Sequence, residues 1–170
     1  MIQIEISRLH CFHEASRQAA YILSAASDEA ETAHSATATA SAHSAAASPP
    51  EPAVCIPSTS DAPLFQQLWE AACRDVDILL SRFRLGPSQG SLQQDYVARL
   101  HMPISFDSGL APMLSGLVFN YFTAFLAAAF VRYVLPQKAP PLEQEVARRK
   151  QRVREALRLR RLPIRRPPVF

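Results

Sequence analysis

The chain has 170 residues, of which 48% are apolar, with 14 Pro, only 4 Gly and 3 Cys. That length suits one domain, and the apolar fraction excludes a wholly disordered chain, while the scarcity of Gly and 8% aromatics exclude a Gly-rich fibre or a many-turned β sandwich. Charge is divided unevenly: residues 1–140 carry 8 basic and 12 acidic side chains and residues 141–170 carry 10 basic and 3 acidic, so a body of net −4 ends in a segment of net +7.

A basic end on an acidic body points to an anionic partner, whether nucleic acid, an acidic protein surface or anionic lipid. Cys11, Cys55 and Cys73 form no CxxC pair and an odd total, which excludes a disulfide framework and a zinc ribbon and points to a reducing compartment.

In the opening Ile2-Gln3-Ile4-Glu5-Ile6, apolar residues alternate with polar ones, the period of a half-buried strand. Glu5 and the lack of a basic leader exclude a signal peptide here. Ser7 is a good N-cap, and Leu9, Phe12, Ala19, Ile22 and Leu23 then recur at helical spacing to about Ala26. From Ser27 to Ser60, 25 of 34 residues are Ala, Ser, Thr or Pro and none is aromatic. Such a segment buries too little to offset the entropy of ordering it, and residues 27–60 are expected to form a flexible insertion between an N-terminal unit, 1–26, and a helical core, 61–135.

Ser60-Asp61-Ala62-Pro63 combines a cap residue with an early Pro and predicts a helix start. Phe65, Leu68, Trp69, Ala72, Val76, Leu79, Leu80 and Phe83 form its apolar stripe, and the core helix is expected over 64–85, stopped by Gly86-Pro87. Between Tyr96 and Phe106 every even position is apolar, which predicts a strand. A two-stranded ribbon alone is marginal in water, so this strand should pair with Ile2–Ile6 and lay its apolar face on the helices.

The 24 residues from Ser108 to Val131 carry no charge. Pro112 and Ser115-Gly116 read as a loop and a cap, which leaves a helix of 115–135 with only about 16 uncharged positions, short for a bilayer. Asn120 and Thr123 add to the cost of a span. A buried central helix is the expectation, although the basic residues that follow would suit a single-span protein with a basic cytoplasmic tail. Pro136, Pro140 and Pro141 then break the chain, and a helix is predicted from Leu142 to about Leu162 in the last segment, 136–170. Leu142, Val146, Val153 and Leu157, with Leu159 beyond them, leave it only a thin apolar edge. Pro163, Pro167 and Pro168 keep residues 164–170 irregular. The expected fold is therefore α+β, mainly α: three to four helices around a central buried helix, with a small two-stranded ribbon and a basic C-terminal helix.

No nucleophile elbow or Gly-rich phosphate loop surrounds the Ser and His residues, and no enzyme or cofactor is expected. His10, His13 and Glu14 have the i, i+3 and i, i+4 spacing of helical metal ligands and Cys11 lies beside them, but a site needs convergent ligands, so they are read as surface and boundary residues, with no metal expected. His34 and His43 fall in a repeated His-Ser-Ala context that composition explains. The remaining signal is the basic cluster Arg148, Arg149, Lys150, Arg152, Arg154, Arg158, Arg160, Arg161, Arg165 and Arg166, expected to contact a partner or nucleic acid. No aromatic residue is interleaved with it, so base stacking is not indicated; phosphate contact would be independent of sequence and strongly dependent on salt.

Phe65-Gln66-Gln67-Leu68-Trp69-Glu70-Ala71-Ala72 leading to Leu79-Leu80-Ser81-Arg82-Phe83, a strand ending in Ile104-Ser105-Phe106, and Pro112-Met113-Leu114-Ser115-Gly116 opening a helix give an order of parts that resembles the small head-tail connector, or adaptor, proteins of tailed bacteriophages and prophages. The resemblance implies identical copies ringed around a DNA passage, with terminal segments docked on neighbours. It implies as partners further copies of the chain or other virion proteins, and as location the bacterial cytoplasm or the virion. The 27–60 insertion and the density of Arg in the tail depart from that pattern. A nucleic-acid-binding accessory protein is the second reading, with non-specific DNA contact; a membrane partner is not expected.

Overall fold

Alternation in the first residues does produce a strand. The computed structural model describes residues 2–35, 57, 59–60, 62–86, 94–101 and 110–159. Strand β1 (Ile2–Ile6) pairs antiparallel with β2 (Tyr96–Leu100), with Ile4 opposite Ala98 and Ile6 opposite Tyr96. Ile4, Ile6, Tyr96, Ala98 and Leu100 are all buried on one face, while Gln3, Glu5 and Arg99 are exposed on the other. The part of the predicted strand beyond His101, Pro103 included, lies outside the described residues.

Helix α1 (Arg8–Ser35) follows at once. The Ser7 hydroxyl accepts from the His10 amide at 3.4 Å, and Asp95 Oδ1, from the approach to β2, accepts from the Arg8 amide at 2.7 Å, so two of the four unpaired N–H groups at this helix start find oxygens. Core residues on α1 are Cys11, Phe12, Ala15 and Ala19, with Ile22 and Leu23 packed alongside. The helix was expected to end near Ala26 and instead enters the supposed insertion. Asp28-Glu29-Ala30-Glu31-Thr32-Ala33 explains this, because Ala and Glu have high helix propensity and no Pro intervenes. The rest of the insertion lies outside the described residues, apart from 57, 59 and 60.

Helix α2 (Pro63–Leu80) begins with Pro at its first position, as predicted, but its N-cap is Ala62, with no side-chain cap. It buries Phe65, Trp69, Ala72, Val76 and Leu80. Its end at Leu80 falls short of the expected Leu85. The Phe83 amide donates to the Leu80 carbonyl at 2.9 Å, and the backbone then turns to β2: the Leu85 amide donates to Arg99 O at 2.8 Å and the His101 amide to Phe83 O at 2.6 Å. The open edge of β2 thus takes the backbone groups that a longer helix would have used. Gly86 follows with φ of +76°, a conformation that favours Gly.

Helix α3 (Leu110–Val134) starts five residues before the expected Ser115. Pro112 is its third residue, where the N–H it lacks would have no intrahelical partner. Gly116 stands inside the helix with open space around it. The correction changes the membrane question, since Ala111–Val134 is long and apolar enough to cross a bilayer. Within the fold, 61% of its most apolar stretch is buried, as in a core helix that is apolar all round. It packs against α1, α2, β1 and α4 (Ala139–Leu159). Thr123 turns its hydroxyl back to the Phe119 and Asn120 carbonyls of its own helix at 3.2 and 3.1 Å, which satisfies a buried polar group locally.

A 3-10 turn, Pro136–Lys138, joins α3 to α4, and Pro140 and Pro141 lie in the first turn of α4 rather than breaking it. The fold is therefore α+β and mainly helical, with α3 at its centre and a two-stranded ribbon to one side.

Cys11 and Cys73 are both free, the first fully buried and the second half-buried. Burial pushes the Cys11 thiol far up, with smaller contributions from Cys73 and Asp95; burial, then the Asp77 and Glu70 charges, pushes Cys73 up to about 12. A thiol so shifted contributes stability that is fully present below the ordinary thiol value of 9.0 and is lost as pH rises above it. In a Cys55→Ser variant, neither thiol should be alkylated by iodoacetamide at neutral pH, and both should react fully in denaturant. Fast labelling of Cys11 in the folded chain, read by mass spectrometry, would contradict the packing described here.

Candidate functional site

Helix α4 separates its side chains by face. Ala139, Val153 and Leu157 are buried, and Leu142 and Val146 pack against the core. This is the apolar edge predicted from sequence, and it lies along α3: Arg132 of α3 meets Glu143 near the connecting turn at 3.4 Å, and Arg149 NH1 donates to the Asn120 carbonyl farther along at 2.8 Å. The basic helix is thus part of the body up to Leu157, not a free arm.

That docking divides the predicted basic cluster. Lys150 points inward, and its Nζ donates to both carboxylate oxygens of Asp75 on α2 at 2.6 and 2.7 Å. The Tyr121 hydroxyl of α3 donates to the same carboxylate, so one Asp ties three helices together. Burial pushes the Asp75 carboxyl up, but the hydrogen bonds from Lys150 and Tyr121 and the charges of Lys150 and Arg154 outweigh it and hold the carboxyl below its ordinary range. Tyr121 is pushed far up, by burial first and by its bond to Asp75 second. Arg149 Nε and Arg148 NH1 both bond to Glu145, at 2.9 and 2.8 Å. The bond from Arg149 outweighs the small effect of burial and, with the charges of Arg149, Arg148 and Arg152, holds the Glu145 carboxyl low.

Arg152, Arg154 and Arg158 are exposed, and none has a carboxylate within ion-pair distance among the described residues. Arg160, Arg161, Arg165 and Arg166 lie outside the described residues. Of the six basic positions that are described, Arg149 and Lys150 hold the helix to the body, Arg148 pairs within α4, and three face outward.

Nothing in the sequence marks Asp75, whose position on the polar side of α2 gives no hint that α3 and α4 converge there. Nor does the sequence reveal a groove of about 650 Å³ between α2, α3 and α4, lined by Leu64, Leu68, Phe125 and Val146, with Tyr133 and the Arg132–Glu143 pair at its rim. The helical pattern of each segment carries part of that lining, but no single segment shows the gap between them.

The His10, Cys11, His13 and Glu14 group does not converge. Cys11 is buried, His10 is exposed and lies against Phe119 with ring centres 4.8 Å apart, and Glu14 bonds to Arg17 and Gln18. Among the described residues no group of three His, Cys, Asp or Glu side chains could hold a metal ion. His34 carries no side-chain description, and His43 lies outside the described residues.

No known protein family model, curated protein or solved structure matches this chain significantly.

Proposed function

We propose that this protein is an assembly subunit, a non-enzymatic component of a homo-oligomer of the kind formed by the head-tail connector proteins it resembles, and that its basic C-terminal end carries the contact between copies or with other virion proteins. The observation that supports the reading is the division of the basic side chains on α4. Its inward cation, Lys150, locks the helix to Asp75, whereas Arg152, Arg154 and Arg158 face outward where the sequence continues into Arg160, Arg161, Arg165 and Arg166. An acidic body, net −4 over residues 1–140, gives a second copy the opposite charge.

A test that removes all of α4 would be misleading, because it would uncover the apolar side of α3. The informative variant reverses Arg160, Arg161, Arg165 and Arg166 to Glu, beyond Leu157, the last core residue of α4. Sedimentation velocity over rising protein concentration should show oligomers for the native chain and a monomer for the variant. A native chain that stays monomeric or dimeric yet retains DNA, with affinity falling steeply as salt is added, would overturn the reading in favour of a nucleic-acid accessory protein.

A further inference from the structure

Three arginines from two elements border one cleft at the far end of the bundle. Arg82 comes from the turn that ends α2, while Arg154 and Arg158 stand one turn apart on the same face of α4; the cleft between them measures about 290 Å³. The recess is thus bordered by three arginine side chains from two elements. None of the three has a carboxylate within ion-pair distance among the described residues. The neighbouring acids are already engaged: Asp75 accepts from Lys150 and Tyr121, and Glu155 accepts from Gln151 at 3.0 Å. Ser81 donates its hydroxyl to the Ile78 carbonyl at 2.9 Å, which leaves the three arginines as the side-chain donors among the residues that line the cleft.

Leu79, Phe83 and Leu157 contribute apolar lining behind these charges. The arginines themselves are exposed, so their attraction for an anion is screened on the solvent side and strengthened only where the apolar lining backs them. The chemistry selects among anions. A carboxylate has two oxygens and is filled by one arginine fork, whereas a phosphate group has enough oxygens, spread tetrahedrally, for forks arriving from two elements. Ile78 is 72% exposed at the rim, an apolar rest for the organic part of a phosphate-bearing ligand.

We infer that the Arg82–Arg154–Arg158 cleft is a binding site for a phosphate group, either free or in a nucleic-acid backbone. The site shares Arg154 and Arg158 with the outward face of α4 and adds Arg82, which lies outside the C-terminal segment.

Isothermal titration of the full chain at fixed ionic strength tests it, with inorganic phosphate and pyrophosphate in one arm and a short oligodeoxythymidine in the other. Arg82→Gln and the Arg154→Gln/Arg158→Gln pair should each weaken binding by about tenfold or more, as expected for loss of charge-assisted hydrogen bonds. Arg17→Gln, exposed on α1 and outside both the cleft and the basic cluster, should leave binding within about twofold of the native chain, the size of a weak surface-charge effect. Binding in the phosphate arm identifies a free-phosphate site, and binding in the oligonucleotide arm alone identifies a backbone site; both support the inference if Arg82→Gln abolishes them. Equal loss for Arg82→Gln and Arg17→Gln, which a diffuse effect of net charge would give, overturns it, as does no binding in either arm. Circular dichroism of each variant verifies that the fold is intact, and because all these arginines are exposed it should be unchanged.

Discussion

Replacing Trp69 by Ala should remove about 3–5 kcal/mol of stability, enough to leave a domain of ordinary stability close to its unfolding threshold. Trp69 is the only Trp in the chain and is completely buried, with its ring 4.9 Å from Phe122 of α3 and 6.3 Å from Phe65 of its own helix. Phe65 in turn meets Phe12 of α1 at 4.9 Å, edge to face, so truncation at Trp69 opens a cavity among rings contributed by three helices. The indole Nε1 is buried with no hydrogen-bond partner among the described residues. An orphaned donor carries a desolvation penalty of about 1–3 kcal/mol, and Trp69→Phe relieves it while leaving most of the ring volume in place. The two substitutions should therefore separate widely: Phe within about 1.5 kcal/mol of the native chain and Ala several kcal/mol below it. Urea unfolding followed by circular dichroism measures both without depending on the lost fluorophore. A loss for Phe well beyond that range would mean that the indole N–H is satisfied, and near-neutral Ala would mean that the site collapses onto Phe122.

How far this architecture could be read from the residues depends on which physical signal each element carries. The ribbon was legible because Ile2, Ile4 and Ile6 and the even positions from Tyr96 repeat with a period of two, and a pair of strands has few alternatives for pairing. The core stripe of α2 was legible for the same reason at helical period. Helix ends were harder. Pro112, Pro140 and Pro141 were read as breaks, yet each stands in a first turn, where its missing N–H costs nothing. Leu85 was read as helical from the apolar stripe, but the unpaired edge of β2 captures its amide, a tertiary effect invisible in the local sequence. Asp28 to Ala33 were hidden by the Ala and Ser content around them, although their own propensities are helical.

The basic cluster was legible as a cluster but not as two structural populations. Its apolar edge, Leu142, Val146, Val153 and Leu157, correctly places one face of α4 on the body. Which cations follow that edge inward depends on the rotation of α4 against α2 and α3, and only the fold shows that Lys150 reaches Asp75 while Arg154 and Arg158 reach the side of Arg82. Arg82 had no place in the sequence reading, because nothing near it repeats and its partners lie on a different element.

Asp75→Ala is the second substitution with a large expected effect, because Asp75 is the acceptor on which α2, α3 and α4 converge. The side chains of Asp75 and Lys150 are each 27% exposed, so water reaches the pair only partly and cannot fully replace the lost bonds. Removing the carboxylate leaves the Lys150 ammonium and the Tyr121 hydroxyl without their acceptor, at a cost of about 2–3 kcal/mol, or roughly 5–10 °C in Tm for a chain of this size. The acid limb supplies an independent readout. A carboxyl held below its ordinary value in the folded state contributes stability that is fully present above that value, 3.8, and lost as pH falls through the folded-state value. Native protein should therefore lose stability as pH falls below 3.8, and Asp75→Ala should lose that part of the slope along with its offset in Tm. Lys150→Met separates charge from packing: it keeps the aliphatic stem along α4 but removes the ammonium, so Asp75 keeps only the Tyr121 bond and the Arg154 charge and its carboxyl should rise toward the ordinary range. A Tm and acid limb unchanged in both variants would show that α4 is held by its apolar edge and Arg149 without the bond to Asp75. In that case the inward and outward cations of α4 would be energetically equivalent, and Lys150 would belong with the surface arginines.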